Sequence, residues 1–341
     1  MSLLKSALVL VLFFFTILVE ARALPSFLRE AGSHYLVRSL GSACYTMTTI
    51  DISLPCNPAA IALDRKDALF DSSVFIGSDV EAIHLVQDAV DNGNEEALMR
   101  LAASSESILQ AEAALQTTIL GPTRGVTIEP YRLVYYSRTE NSAMPMVDLI
   151  AAQQRSIKAQ IGSFFNENFA GGLQFRYSNL RVIDTYFAAS EALVEGSQEL
   201  WASEELNQFF FEPGALYQWH DVAWEPQVSA AITQLGWSTP KSEAFPTSPE
   251  LFLGASVKPF IPWGLLEVAL QLHLSQETEN WNDVPRFAVA YRFSMITAAL
   301  SAGERDSAIS AFFDMGNLNV GVAFKETRYN NGLFAQVGYT L

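Results

Sequence analysis

An alternation of apolar and polar side chains with a period of two constrains the fold of this chain more than any other feature. In the stretch LLEVALQLHLS (265–275), leucine and valine alternate with Glu267, Gln271 and His273. Similar runs occur at 173–178, 228–233, 251–258, 287–293, 318–325 and 333–341. Successive side chains of a β-strand point to opposite faces of the sheet. Each run therefore predicts a strand with one apolar and one more polar face.

Short turn signals separate these runs, at 166–168, 259–264, 303–306, 315–317 and 330–332. Successive hairpins with strands of about ten residues are typical of an up-and-down antiparallel barrel. We therefore predict an all-β chain in which residues 121–341 form an antiparallel barrel of about 12–14 strands.

The region before residue 121 has a different pattern. A brief strand is predicted at 73–76, and from Asp79 onward apolar residues follow helical spacing. Helical composition continues to Gln116, and it returns in an insertion at 190–206. We expect residues 24–120 to form a plug-like N-terminal segment that carries a helical insert.

The first 23 residues have the pattern of a secretory signal peptide. Lys5 precedes an apolar run at 7–19, and Ala21-Arg22-Ala23 resembles a cleavage site. The alternative is an uncleaved anchor, but a spanning helix needs about 20 apolar residues. We expect residues 1–23 to be removed and the mature chain to be exported.

The charge of the chain is strongly negative, with 21 Lys and Arg against 37 Asp and Glu and a net charge of −16. Removal of Lys5, Glu20 and Arg22 with the signal peptide leaves 19 basic and 36 acidic side chains, a net charge of −17. Contact with phosphates depends on a basic surface. We therefore expect no nucleic-acid partner.

The apolar faces of the strands could point inward, as in a soluble barrel, or outward to lipid. Three features favour lipid. The apolar faces are long, and the last strand keeps the alternation through Tyr339 and Leu341, so that it is able to close a barrel without a free edge. Aromatic residues also fall near predicted strand ends, as an interfacial girdle requires: Tyr131, Tyr135, Tyr136, Trp219, Trp224, Trp237, Trp263, Tyr329 and Tyr339.

The chain has two cysteines, Cys44 and Cys56. An exported chain meets an oxidising compartment, which favours a disulfide between them. A pair of buried free thiols is the alternative. A metal site has less support, because no further Cys or His lies nearby at ligand spacing.

The segment SLPCNPAAIAL (53–63) resembles the Asn-Pro-Ala motif near the N-terminus of the FadL-like outer-membrane superfamily, which includes long-chain fatty-acid transporters, PorV-type proteins and plasmid-transfer TraF-like barrels. The stretches 161–182 and 287–324 are similar to a hairpin and to the closing strands of these barrels. The helical stretch before Gln116 looks closer to the TraF-like arrangement. The resemblance implies a barrel in the outer membrane of a Gram-negative bacterium, with Asn57, Pro58 and Ala59 as a plug motif.

Motifs for catalysis are not found in the sequence. The four histidines form neither an HxxxH nor an HExxH pair, and GxSxG, Walker and dinucleotide-binding motifs are missing. We expect no enzymatic activity, no cofactor and no metal.

The candidate functional surface is therefore the barrel lumen. Seven side chains occupy the polar face of their strands and are lumen-facing candidates: Arg176, Glu267, Gln271, His273, Arg292, Lys325 and Gln336. One interpretation is a hydrated or mutually paired interior. The other is a lining that steers a solute past the plug, which the Cys44–Cys56 bridge would stiffen.

Two functions follow from this interpretation. The first is a porin-like channel or transporter for hydrophobic or small amphipathic molecules. The alternative is an accessory barrel of a secretion or conjugation system that acts through protein partners, which the helical segments favour; a purely structural barrel is a third option. The expected partners are outer-membrane lipid, the barrel-insertion machinery through the C-terminal strand, and either a hydrophobic small molecule or a secretion-system protein.

Overall fold

The computed structural model describes residues 34–49, 54–63, 69–79, 108–140, 146–188, 203–240, 247–275, 281–304, 306–327 and 331–341. The predicted signal peptide lies outside the described residues. So do residues 80–107 and 190–202, which make up most of the two predicted helical segments.

Strands dominate the described chain. They are β1 (Leu69–Asp79), β2 (Ile108–Leu120), β3 (Arg124–Glu140), β4 (Met146–Phe164), β5 (Phe169–Ala188), β6 (Glu204–Gln218), β7 (Gln227–Thr233), β8 (Gly236–Thr239), β9 (Glu250–Val257), β10 (Phe260–Ile261), β11 (Gly264–Leu274), β12 (Pro285–Phe293), β13 (Ile296–Gly303), β14 (Asp306–Met315), β15 (Leu318–Thr327) and β16 (Asn331–Thr340).

The strands form one closed antiparallel barrel. Each wall strand pairs with the next along the chain, and β16 pairs with β1. β8 continues the line of β7 beyond a break at Gln234 and Leu235, and β10 continues that of β9. The wall therefore has 14 strands, which confirms the predicted barrel and its strand number.

The apolar face of each strand points outward. On β1, Val74 and Ile76 are 49% and 59% exposed, whereas Ser73 and Phe75 are buried. On β16, Val337 is exposed and Gln336 is buried. Exposed apolar side chains around a closed wall with many polar groups inside are the arrangement of a transmembrane β-barrel of the outer-membrane type.

Among the described residues, no helix is both long enough and apolar enough to cross a membrane.

The wall begins earlier than the sequence pattern predicts. Strands β1 and β2 belong to it, so it starts at Leu69 rather than at residue 121. The predicted helix is wrong for the stretch from Ile108 to Gln116, because β2 pairs with both β1 and β3. Its alanine-rich composition favours a helix, yet Glu112, Ala114 and Gln116 share one buried face. Likewise, residues 204–206 of the second predicted helical segment begin β6.

The two ends of the barrel differ. Tight connections at 121–123, 165–168, 294–295 and 316–317 form the turn end. The opposite end is called the loop end, because the two longest connections join strands there, from Asp79 to Ile108 and from Ala188 to Glu204.

Strand lengths are unequal around the wall. Strand β5 has 20 residues and β4 has 19, whereas β13 has 8. On the outer face of β5, apolar Phe175 and Tyr177 are followed toward the loop end by Asn179 and Arg181. The lipid-facing surface therefore ends near Tyr177, and β5 continues beyond it.

The described N-terminal residues, 34–49 and 54–63, lie inside the barrel and are called the plug below. The plug contains helix α1 (Tyr35–Leu40) and two 3₁₀ helices, Gly41–Tyr45 and Pro58–Ala62. The Nδ1 atom of His34 caps α1 by accepting a hydrogen bond from Leu36 N at 3.3 Å.

The half of the barrel that receives α1 is lined by small side chains. Alanines occupy buried inward positions on β12–β15: Ala288, Ala290, Ala299, Ala308 and Ala323. Ser39 binds this wall, since its Oγ donates to Ser310 Oγ at 3.0 Å and Ser301 Oγ donates to Ser39 O at 2.5 Å. The alanines leave the space that the plug fills.

Candidate functional site: the plugged barrel interior

The Asn57-Pro58-Ala59 motif ties the plug to the wall. Asn57 Oδ1 accepts a hydrogen bond from Ala59 N at 3.0 Å and so starts the second 3₁₀ helix. The Nδ2 atom of Asn57 donates to the carbonyl oxygens of Ala215 and Ala230, at 3.2 and 3.4 Å. One buried asparagine therefore fixes the turn and binds it to both β6 and β7.

A row of glycines forms the surface on which this motif packs. Gly162, Gly172 and Gly214 are direct partners across β4, β5 and β6. A Cβ at Gly172 would overlap the Pro58 carbonyl group and lie 2.5 Å from Ala59 N. A Cβ at Gly214 would overlap Asn57 Oδ1. This row, called the glycine seat below, lets the plug backbone approach the wall closely.

We expect Gly172→Ala to weaken plug docking by about 1–3 kcal/mol, because the new Cβ overpacks the Pro58 contact and the clashing atoms are backbone. Hydrogen exchange of the amides at 59–63 should become faster in the folded barrel. Gly303→Ala is the matched control, since a Cβ there meets its nearest neighbour at 3.5 Å. Equal exchange rates in both variants would show that the glycine seat is not needed.

A disulfide joins the two parts of the plug. Cys44 and Cys56 are bonded, with their Cα atoms 5.7 Å apart. Cys44 lies in the first 3₁₀ helix and Cys56 directly precedes Asn57. The neighbouring Pro55 O accepts a hydrogen bond from Gln160 Nε2 on β4 at 2.7 Å. The bridge thus connects the α1 half of the barrel to the glycine seat.

The stretch Thr46–Thr49 binds the wall through side chains of β7 and β11. Glu267 is fully buried and accepts hydrogen bonds from Thr48 N at 3.0 Å, Thr49 N at 2.8 Å and Thr49 Oγ1. Thr46 Oγ1 donates to Gln271 Oε1, and Thr46 O accepts from Gln227 Nε2. The carboxylate of Glu267 therefore holds the plug backbone to β11 by hydrogen bonds.

Buried ion pairs line the inner face of β2–β6. Among the described residues, the wall pairs are Arg132–Glu112 at 2.8 Å, Lys158–Glu129 at 3.5 Å and Arg176–Glu212 at 2.8 Å. Amide and hydroxyl groups link them, since Arg132 Nη1 donates to Gln154 Oε1 at 2.7 Å. We call these inward polar residues of β2–β6 the polar belt. Each cation in it has a carboxylate partner, so the belt is polar without a large excess of charge.

The β6–β7 ladder is interrupted beside this belt. Pairing covers 214–218 of β6 with β7 and 207–210 with β8, while Pro213 lies between them. Proline has no N–H to donate to a ladder. Gln234, at φ 59°, donates its backbone N–H to Glu212 Oε1 at 3.3 Å. Phe211 N still donates to Leu235 O at 2.8 Å, so the Arg176–Glu212 pair supports the wall where the regular ladder is interrupted.

An apolar cluster lies on the same inner face, closer to the loop end. Its members are Val134, Ile150, Ala152, Leu180, Val182 and Leu206, with Tyr136 packed against them. All six cluster members are buried. We call this group the inner apolar cluster. It contrasts with the polar belt below it, which shows that the lumen has two chemically different zones.

The seven predicted lumen residues occupy different surroundings. Arg176, Glu267, Gln271 and Gln336 are buried, and two of these, Glu267 and Gln271, contact the plug. Lys325 pairs with Asp306 near the loop end at 2.9 Å, His273 pairs with Glu250 at 3.1 Å, and Arg292 is half-buried on β12 near the turn end. The structure does not gather them into one constellation.

Sequence reasoning missed most of the polar belt. Arg132, Lys158, Glu112, Glu129 and Glu212 are all inward and buried. Ser156, Lys158 and Gln160 alternate with Ile157, Ala159 and Ile161, so the sequence of β4 does contain a signal for this inward polar face. Within the described part of the chain, no three His, Cys, Asp or Glu side chains form a group suited to a metal ion.

Comparison with known proteins supports the fold. The sequence matches no family model and no curated protein sequence. The structure is similar to that of the toluene transporter TbuX of Ralstonia pickettii, with 10% identity and a TM-score of 0.54 over 92% of this chain and 99% of that chain. It is also similar to the monoaromatic hydrocarbon channel CymD, with 8% identity and a TM-score of 0.50 over 91% of this chain and 97% of that chain. Both are FadL-type barrels, so the predicted resemblance is confirmed for the fold.

Proposed function

We propose that this chain is an outer-membrane channel for hydrophobic or small amphipathic molecules in a Gram-negative bacterium. In outer-membrane barrels the short turns face the periplasm and the longer loops face outward. The loop end would then face the outside, and the glycine seat, near the turn end, would lie on the periplasmic side.

The inner apolar cluster carries this proposal. The inward-facing residues of an outer-membrane barrel are typically polar, so an inward apolar cluster is not explained by contact with water in the lumen. Leu180 and Leu206 nevertheless lie side by side on adjacent strands and face inward, with Val134 nearby. Sites for small apolar ligands are lined mainly by such side chains, with a few polar groups. The fold is shared with a toluene transporter and a hydrocarbon channel, which supports the proposed class of solute.

The plug explains how such a channel would stay closed to other solutes. Its α1 part occupies the alanine-lined half of the barrel, and its other parts bind the wall through hydrogen bonds of Asn57 and Glu267. Individual hydrogen bonds contribute about 0.5–1.5 kcal/mol, or about 1.5–3 kcal/mol to a charged group. The wall closes on itself through β16 and β1 without any strand from the plug, so release of the plug contacts would open the lumen and leave the wall paired.

Leu180→Gln tests the proposal. The substitution places an amide in the inner apolar cluster, at a cost of about 1–3 kcal/mol for an apolar solute that must pass it. We expect uptake of a labelled fatty acid into proteoliposomes to fall about tenfold. Leu180→Met, which conserves volume and apolar character, should retain uptake.

Two readouts make this result interpretable. Heat-modifiable migration on a gel establishes that each variant is a folded barrel, and arabinose influx reports any general leak. Uptake of the fatty acid by Leu180→Gln at the level of the Leu180→Met control would contradict the proposal, as would a lack of uptake by the unchanged protein.

The alternative, an accessory barrel that acts through secretion or conjugation proteins, has less support. It rested on the two predicted helical segments. The described part of the first, Ile108–Gln116, belongs to β2, and residues 204–206 of the second belong to β6. Recovery of a specific partner complex by crosslinking, together with no uptake, would favour it. We propose transport rather than catalysis. We also propose that membrane lipid surrounds the barrel and that the insertion machinery recognises β16.

A further inference from the structure

Three aromatic rings form a continuous stack from the plug to the loop end of the barrel. Tyr45 stacks on Phe252 with ring centroids 4.1 Å apart and an interplanar angle of 12°. Phe252 stacks on His273 at 4.4 Å and 10°. Tyr45 and Phe252 are buried, so the stack begins in the packed plug and continues outward through the wall residues of β9 and β11.

The last ring of the stack is held in place. His273 Nε2 lies 3.1 Å from Glu250 Oε2, and the backbone N of His273 donates to Val284 O at 3.0 Å. Glu250 is buried. One face of the imidazole rests on Phe252, and the edge that carries Nε2 faces Glu250. The orientation of the ring is therefore fixed before any ligand arrives, which lowers the entropic cost of binding.

Part of this ring remains accessible. The side chain of His273 is 33% exposed, whereas the rings below it in the stack are buried. Glu250 begins β9 and His273 lies next to the last residue of β11, so both are at the loop end. The stack thus ends in a flat, oriented and partly open ring at the outer end of the lumen.

We propose that His273 is a binding site for planar aromatic molecules, which add a further ring to the Tyr45–Phe252–His273 stack. This inference rests on the proposed channel function and deepens it, because it names the ligand class that the loop end selects. A flat ring can approach the imidazole at stacking distance, whereas the hydrogens of a saturated ring hold it farther away.

Benzyl alcohol and cyclohexylmethanol provide a matched pair of probes, since they share a hydroxymethyl group and differ in ring planarity. Binding to the purified full-length protein is measured by saturation-transfer NMR and titration. We expect the unchanged protein to prefer benzyl alcohol, and His273→Ala to weaken benzyl alcohol binding about 2- to 12-fold, the equivalent of about 0.5–1.5 kcal/mol for an aromatic pair. Cyclohexylmethanol binding should not change.

Two further variants isolate the ring. His273→Phe keeps a flat ring and should keep the preference, and His220→Ala, in an exposed turn at the opposite end, should behave as the unchanged protein. Equal affinity of His273→Ala and the unchanged protein for benzyl alcohol would overturn the proposal. If His273→Ala does not fold, the ring-proton signal of His273 in the unchanged protein gives the answer, since a ring-current shift with benzyl alcohol supports the site and no shift overturns it.

Liposome uptake of cyclohexylmethanol separates this inference from the channel function. Normal uptake without an aromatic preference would remove the His273 site and leave the channel. An aromatic preference at His273 without uptake of either alcohol would retain the site and contradict the channel.

Discussion

Replacing Glu267 with alanine is expected to release the plug from the wall and leave the barrel folded. The carboxylate accepts hydrogen bonds from Thr48 N and Thr49 N at 3.0 and 2.8 Å, and it also binds Ser256 Oγ at 2.8 Å. Each hydrogen bond to a charged group contributes about 1.5–3 kcal/mol, so the loss of both backbone contacts weakens docking by about 3–6 kcal/mol. Bilayer conductance of the purified protein should rise.

Two variants show whether the effect belongs to the plug contact. Ser256→Ala removes a wall partner of Glu267 without touching the plug, and should leave conductance nearly unchanged. Glu267→Gln keeps the length and one acceptor oxygen, and should give an intermediate conductance. A conductance of Glu267→Ala equal to that of the unchanged protein, with the barrel folded, would show that the plug is held elsewhere.

Removal of the disulfide by Cys44→Ser with Cys56→Ser is expected to raise passive permeability. The bridge closes a loop with a sequence separation of 12. In the chain-entropy model a loop of about this length contributes roughly 3 kcal/mol. Its loss would let the α1 half of the plug and the Asn57 turn move independently. Permeability of cells to a large hydrophilic antibiotic measures the result.

A reductant provides the control for this variant. The chain has two cysteines, so dithiothreitol should raise the permeability of the unchanged protein and have no effect on the double variant. Unchanged permeability of the double variant at normal protein levels would mean that the bridge does not stabilise the closed plug.

The barrel could be predicted because its evidence is local. The alternation of Val337 with Gln336, or of Leu270 with Gln271, is set by residues next to each other in sequence. The prediction failed for β2, because alanine is compatible both with a helix and with the small inward positions of a barrel. The period of two there depends on Glu112 and Gln116, which also occur in helices.

The plug contacts could not be predicted, because they join residues far apart in the chain. Glu267 binds Thr49 across a separation of 218 residues, and Asn57 binds Ala215 across 158. The glycine seat could not be predicted for the same reason. Gly162, Gly172 and Gly214 form a row only through the register of three strands, and their spacing in sequence carries no sign of it.

Because the strands differ in length, opposite sides of the barrel wall differ in height. At about 3.3 Å per residue and a tilt near 40°, 20 residues of β5 rise roughly 50 Å, against roughly 20 Å for the 8 residues of β13. The lipid-facing band of such barrels is about 25 Å tall. On the β5 side the wall therefore extends well beyond this band, whereas on the β13 side it does not. If the loop end faces outward, as proposed above, a solute moving along the membrane surface would meet the lower β13 side of the wall first and would face the inner surface of β5.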